Sequence, residues 1–451
     1  MFAYTPTVRP IIQVVAVDNL ESRRLFAVAP NDPLFPLQSW LPQISAPQAW
    51  EITTGSSAVV VNINDSGIDY THPDLYKNVW LNQNEIPFAI GGNGLRDTDR
   101  DGLITFWDLN ATSGGRLVNR AFVQDLNVNG FIDGGDLLND PRWENGVDNG
   151  GNGYVDDLLG WDFFENDNDT LDDQEHGTIV AGIIGEMADN GEGGAGVAWR
   201  VQLMATRTNG AAGGLGPDTV AAGIRYAADN GARVSQNSVF GNSPNKRDDE
   251  VVHAAIDHAR SRDVLAVFAA GNFAWDNDRN GKDQNVLASF DLPNIISVAA
   301  STPDDQLAAF SNYGLTSVDL AAPGVAIGSP GPVALYPEFP YRLVDGTSIA
   351  APHVAGAAAL MLARDPTLSY AQLKDLILDN VDPVPSLAGK TVTGGRLNVF
   401  AALSAVAADS SAAASAQPTP VRLAAAARTT TRIWSLVDSA VDEDQELIAA
   451  S

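Results

Sequence analysis

The sequence predicts an α/β fold, a mainly parallel central sheet with helices on both faces, and three observations predict it. Between residues 31 and 404, apolar runs of strand length alternate with Ala-rich stretches of helical length, the order left by successive β-α-β units. The strand-like runs are apolar throughout rather than at every second residue, as strands covered on both faces must be. A chain of 451 residues with 45% hydrophobic content is long enough to fill such a core.

Taken in order, residues 1–30 stand apart. They lack the cationic start of a signal peptide, and their apolar stretch is broken by Gln13 and Asp18. LESRRLF at 20–26 resembles a short Leu-Glu-x-Arg signature found near the start of exported bacterial surface proteins, which points to a secreted or cell-surface protein; a frayed terminus accounts for it equally well. VVVNI at 59–63, VQLMAT at 201–206, VLAVFAA at 264–270 and IISVAA at 295–300 predict strands. AAGIRYAADNGA at 221–232 and VVHAAIDHARSR at 251–262 predict helices, with apolar residues at helical spacing and Gly, Asn or Arg at their ends. Residues 405–430 read as a low-complexity linker of Ala, Ser, Pro and Thr, and residues 431–451 as a tail in which Ile433, Leu436, Val437 and Val441 share one helical face.

Composition excludes several classes. Fifty-six acidic residues against 27 basic ones give a net charge of -29, which repels a phosphate backbone, so no nucleic-acid partner is expected. No run approaches the roughly 20 apolar residues of a membrane span. With no cysteine, disulfides, thiolate nucleophiles and Cys-ligated zinc are ruled out. Oligomeric state is left open. Any histidine base must come from His72, His176, His253, His258 and His353.

The sharpest segment is DGTSIAAPHVAGAAALML at 345–362, a Gly-Thr-Ser turn running into a helix of small and apolar residues. Ser348 at its start would hold a hydroxyl and a backbone N–H at the positive end of the helix dipole. Pro352 falls in the opening turn, where it is tolerated. Alone, such a serine reads as an N-cap. VVVNINDSGIDYTHPDL at 59–75 reads as a buried strand ending in Asp65, and strand carboxyl ends are where α/β sheets gather ligands. HGTIVAGIIG at 176–185 opens a second small-residue helix with His176 first, whereas His253 and His258 sit in an amphipathic helix and read as surface or packing residues.

DSGID, HGTIVAG and GTSIAAPHVAG, in that order, make the chain resemble the subtilisin-like serine peptidases, or subtilases. NDPLF at 31, ISAPQAW at 44, NEIP at 84, NGYVDDLLGWDF at 152, GVAW at 196, AAGN at 269, FSNYG at 310, DLAAPG at 319 and GGRLNVFAAL at 394 also fall in the family's order. The resemblance implies a peptidase domain over residues 31–404 acting on protein or peptide substrates. It implies an Asp65, His176, Ser348 triad working through an acyl-enzyme, with Asn272 as oxyanion donor. It also implies that substrate lies as an extended strand against Ser238, Val239, Phe240 and Gly241 on one side and Ala269, Ala270 and Gly271 on the other. Phe240 stands where the family usually has Gly, which predicts a narrowed pocket taking small or medium apolar residues before the scissile bond. Asn64, Glu175 and Ile349 are further departures, and none removes a reacting group. Two other classes stay open: a catalytically silent subtilase fold, and a calcium-binding surface protein.

Residues 91–175 carry 19 Asp and Glu against 5 Arg, a net of 5 minus 19, or -14. Within a calcium-loop insertion over 91–160, DTDRDGLITFWD at 97–108 and DLNVNGFIDGGD at 125–136 place oxygen donors at positions one, three, five, nine and twelve, with Gly at six, the spacing of an EF-hand loop. The candidate calcium ligands are Asp97, Asp99, Asp101, Leu103 and Asp108 in the first, and Asp125, Asn127, Asn129, Phe131 and Asp136 in the second, with Leu103 and Phe131 offering backbone carbonyls. A third stretch at 148–159 matches the family and offers Asp148, Asn152, Asp156 and Asp157. The flanking helices look too short for a paired EF-hand. Solvated acidic turns are the plainer reading of all three.

Overall fold

The computed structural model describes residues 28–406, apart from 211–215, 240, 242–245, 280–284 and 286. Phe240, the expectations for residues 1–27 and all but the first two residues of the linker and tail lie outside the described residues.

The labelled elements are β1 (Gly55–Asp65), β2 (Gly160–Asp162), α1 (His176–Gly185), β3 (Arg200–Arg207), α2 (Pro217–Asp229), β4 (Val234–Asn237), α3 (Lys246–Ser261), β5 (Leu265–Ala269), β6 (Ile295–Ser301), β7 (Leu320–Pro323), β8 (Ile327–Pro330), β9 (Tyr341–Val344), α4 (Thr347–Arg364), α5 (Tyr370–Asp379), β10 (Asp382–Pro383), β11 (Gly395–Arg396) and α6 (Val399–Ala405). Nine strands form one sheet in the order β10-β11-β7-β6-β5-β4-β1-β3-β2. Every neighbouring pair is parallel except β10 with β11.

The unbroken apolar strands are explained by what covers them. Along β5, Val267 and Ala269 pack with Val354 and Ala355 of α4, while Ala266 and Phe268 pack with Ile224 of α2 and Ile256 of α3. Both faces are therefore dry, with α4 spanning β1, β4, β5, β6 and β7 on one side and α2 packed on α3 on the other. A helix laid across five strands must be thin. Of the 18 residues of α4, only Ser348, Ala363 and Arg364 are not buried, and most of the rest are Ala, Gly or Val.

Register sets where the site forms. β1 runs to Asp65, opposite Arg207 of β3, and β4 ends at Asn237, opposite Phe268 of β5. Asp65, Ser238 and Ala269 to Gly271 thus share the carboxyl edge of a parallel sheet, where α/β folds leave their crevice.

Candidate active site

At the tip of β1, Asp65 is buried and His176 lies half-exposed as the first residue of α1. The two meet through His176 Nδ1 and Asp65 Oδ1 at 2.8 Å. The close approach of strand tip and helix depends on two glycines. A Cβ on Gly177 would run into the Gly67 carbonyl, and Gly67, at φ +108°, has its own missing Cβ aimed at the Thr170 carbonyl.

Burial works against a charged imidazole at His176. The Asp65 carboxylate, its hydrogen bond and the further charges of Asp172 and Glu175 outweigh burial, so the pKa of His176 lies above the ordinary imidazole value. Glu175 holds φ at +103°, a backbone region that strains a non-glycine residue by about 1–3 kcal/mol. Its carboxylate accepts from the Tyr336 hydroxyl and pairs with Arg342 Nε at 3.3 Å, and Arg342 lies over the Tyr336 ring at 4.3 Å. Glu175 therefore ties α1 to Tyr336, in the chain leaving β8, and to Arg342 of β9.

The other histidines do different work. His72 Nδ1 accepts from Asp74 N, leaving Nε2 to donate to Pro340 O at 3.0 Å, and burial lowers its pKa. His353 is buried inside α4, where burial pushes it down to about 4. His258 pairs with Asp229 at the surface, and His253 meets Phe290 edge-on.

Ser348 sits at the head of α4 after Gly346, and a Cβ on Gly346 would come within 2.8 Å of Ser348 Oγ. Pro352 lies four residues past Ser348 inside the helix, beyond the opening turn. Lacking an N–H, it leaves the Ser348 carbonyl without its i+4 donor, and the Ser238 hydroxyl fills that role at 2.9 Å. The segment after β4 is thereby fastened to the serine's own backbone.

Asn272 is exposed beside this helix end. Its side-chain oxygen accepts both the Thr347 N–H and the Thr347 hydroxyl at 2.8 Å. That fixes which end of the amide faces out: the oxygen is consumed and the NH₂ is presented. Gly271, at φ +113°, donates its N–H to Thr347 Oγ1 at 3.0 Å. Val239, Ala269 and Ala270 are buried, while Ser238 and Gly241 are partly open.

In the acidic region, carboxylate oxygens of Asp97, Asp99 and Asp108 lie within 4.8 Å of one another. The three loops share one backbone path. The sixth residue is Gly102, Gly130 or Gly153 at φ between +92° and +100°, and its N–H donates to the first aspartate, Asp97, Asp125 or Asp148. Positions nine and twelve of the first two loops are capping boxes, Thr105 with Asp108 and Asp133 with Asp136, opening helices of 4 and 5 residues. Leu103 and Phe131 donate their N–H groups to Asp101 and Asn129. In the third loop Asp156 takes the N–H groups of Asn145 and Gly146. Asp157 takes Asn82, Asn152 and the Tyr226 hydroxyl, and burial raises it to about 6.

Sequence reasoning missed several groups. Glu85 is fully buried and accepts from Asn149 N, Gly150 N and Asp156 N, threading the third loop. Thr105 and Asp133 were signalled by their position nine. Asp32, Asp74 and Glu186 are buried together: Asn190 donates to Asp74 at 2.6 Å, Gly194 to Glu186 at 2.6 Å, and Asp32 takes three backbone N–H groups. Burial raises Asp74 to about 6 and Glu186 well above its ordinary value. Their separation in sequence hides the cluster.

The family model described as the subtilase family matches residues 56–406. Thermitase of Thermoactinomyces vulgaris is 29% identical over 375 residues, covering 83% of this chain and 99% of its own length. Subtilisin Savinase of Lederbergia lenta is 34% identical over 220 residues, 48% of this chain and 73% of that protein. A solved protease structure from Pseudoalteromonas arctica superposes with a TM-score of 0.54 at 25% identity, covering 84% of this chain and 99% of that one. The chain belongs to the subtilase family and is a subtilisin-like serine endopeptidase.

Proposed function

We propose that Asp65, His176 and Ser348 form the catalytic triad of this peptidase and that Asn272 is its oxyanion donor. The observation that carries the reading is the 2.8 Å contact from His176 Nδ1 to the buried Asp65 carboxylate. Committing Nδ1–H to Asp65 leaves Nε2 as the basic nitrogen. Nε2 takes the Ser348 proton as Oγ attacks the peptide carbonyl, and returns it to the departing amine. Water then repeats the cycle on the acyl-enzyme. Oxyanion charge falls between the Asn272 NH₂ and the Ser348 N–H at the head of α4, donors already aimed before reaction. The test is a phosphonylating serine probe: wild type takes one label, Ser348→Ala takes none and no longer cleaves casein. An unlabelled wild type would mark a silent fold.

Substrate is assigned to the segments that carry Ser238, Val239 and Gly241 and Ala269 to Gly271, with the preference for small or medium apolar residues before the scissile bond carried over from the sequence alone. A peptide-library profile dominated by large aromatic or basic residues before the cleaved bond overturns that preference.

The cofactor assigned is calcium. Asp97, Asp99, Asp101, Asp108 and the Leu103 carbonyl supply the all-oxygen set such an ion takes, and the second and third loops follow the same path with Asp125, Asn127, Asn129, Phe131, Asp136, Asp148 and Asn152. Asp32, Asp74, Glu186 and Asn190 make a further oxygen-only set. The ion's contribution is charge neutralisation in a region of net -14. Among the described residues no helix is long and apolar enough to cross a membrane. Export to the medium or cell surface is supported by a cell wall-associated protease of Bacillus subtilis, 31% identical over 242 residues.

A further inference from the structure

We infer that Asp172 is a positioning residue for catalysis, holding His176 in register with Asp65. The inference rests on the triad reading above. Asp172 is buried, four residues before His176, and touches none of the reacting atoms. One carboxylate oxygen accepts the Ser66 hydroxyl at 2.9 Å and the N–H groups of Gln174 and Glu175 at 2.9 and 3.0 Å. The other accepts the Thr178 N–H at 2.8 Å and its hydroxyl at 2.6 Å.

These five bonds join the two halves of the His–Asp contact. Ser66 follows Asp65 directly, donates its N–H to Asp65 Oδ1 at 2.8 Å and accepts from Gly177 N at 2.9 Å. Thr178 lies in the first turn of α1 and also accepts from Asp69 N at 3.0 Å. Asp172 thus reaches the residue after Asp65, the residue before His176 and the first turn of the histidine's helix. By holding Glu175 N it also stabilises the strained turn that aims His176 at β1. All five bonds are donated to Asp172, so an amide in place of the carboxylate would set its NH₂ against at least one backbone N–H whichever way it is turned.

The charged groups acting on the imidazole are Asp65 from β1, Asp172 from the preceding loop and Glu175 from the cap of α1. Arg342, from β9, faces Glu175 rather than the ring. Of the two acids outside the pair, Asp172 takes hydrogen bonds from both the Asp65 side and the His176 side, whereas Glu175 takes them from Tyr336 and Arg342.

The test uses the full chain with active sites titrated by the phosphonate, so folded and catalytic fractions are counted separately and a failure of the triad reading appears first in wild type. Asp172→Asn is expected to lower kcat per titrated site roughly 100-fold, as a misplaced catalytic group does, with KM within about twofold. In a Ser348→Ala background, the imidazole NMR titration of His176 is expected to move to lower pH in Asp172→Asn. Asp172→Glu, which keeps the charge, is expected to restore that titration in part. A purely structural role predicts a lower Tm with kcat per site and the His176 titration unchanged, and that result overturns the proposal. Where Asp172→Asn fails to fold, Thr178→Val removes one donor at constant shape. A smaller loss of kcat in that variant supports the inference, and an unchanged kcat overturns it.

Discussion

At the scale of single residues, charge next to the base is the variable that function reads most directly. The His176 pKa is raised, so the neutral base appears only as pH climbs through that raised value, and kcat/KM should rise along the same limb. Glu175→Gln keeps the shape of the side chain and removes one contributing charge. The acid limb is therefore expected to move to lower pH, by less than about one pH unit for a half-exposed carboxylate; a limb that stays put or moves up removes Glu175 from the electrostatics. Asn272→Ala is expected to cost roughly 100- to 1000-fold in kcat with little change in KM, a magnitude carried over from the corresponding donor in subtilisin. Asp65, His176, Ser348 and Asn272 could be nominated from sequence because each sits in a short motif that resembles the family's, whereas taken alone each reads as a cap or a turn. Asp172 and Glu85 were not, since an isolated acid in a loop carries no local mark of the distant N–H groups that converge on it.

Among elements, the decisive contact is between the tip of β1 and the first turn of α1. Gly177→Ala places a methyl where the Gly67 carbonyl stands, and neither backbone can yield without moving Asp65 or His176. A loss of at least 1–3 kcal/mol is expected from overpacking alone, together with a fall in activity per folded molecule. Thermal melts alongside active-site titration check this, and a variant with wild-type Tm and kcat would show the approach to be slack. The buried strands and α4 were readable because a parallel sheet with two dry faces leaves unbroken apolar runs, and a helix crossing five strands leaves a small-residue run. Their consequences for the site were less readable. Pro352 looks harmless in sequence, yet its missing N–H is what frees the Ser348 carbonyl for Ser238. β10 and β11, two residues each, carry no periodicity to detect.

For the molecule as a whole, charge balance governs stability, and the acidic region sets its sign. A saturating cation at 100 times its Kd stabilises by about 2.7 kcal/mol per site, so excess chelator is expected to lower Tm by roughly 5 °C or more; an unchanged Tm would remove calcium from the account. The chelated protein should also reveal the cost of its buried acids. Asp157 has its pKa raised to about 6, above an ordinary carboxylate near 4. A group raised in the fold contributes stability that is full below the unfolded value and lost as pH climbs through the folded one. Between about pH 4 and pH 6 the Asp157 contribution therefore falls, by about 3 kcal/mol at 1.36 kcal/mol per pKa unit. His353, pushed down to about 4, works in the opposite sense over the same window, so the raw stability profile mixes the two. Asp157→Asn separates them. Its amide faces the donors Asn82, Asn152 and Tyr226 at every pH, a constant penalty, but it cannot ionise. In chelator, the stability of Asp157→Asn relative to wild type is expected to improve steadily from pH 4 to pH 7. A difference that stays flat, or narrows at low pH, would mean that Asp157 keeps its charge in the fold without a cation beside it.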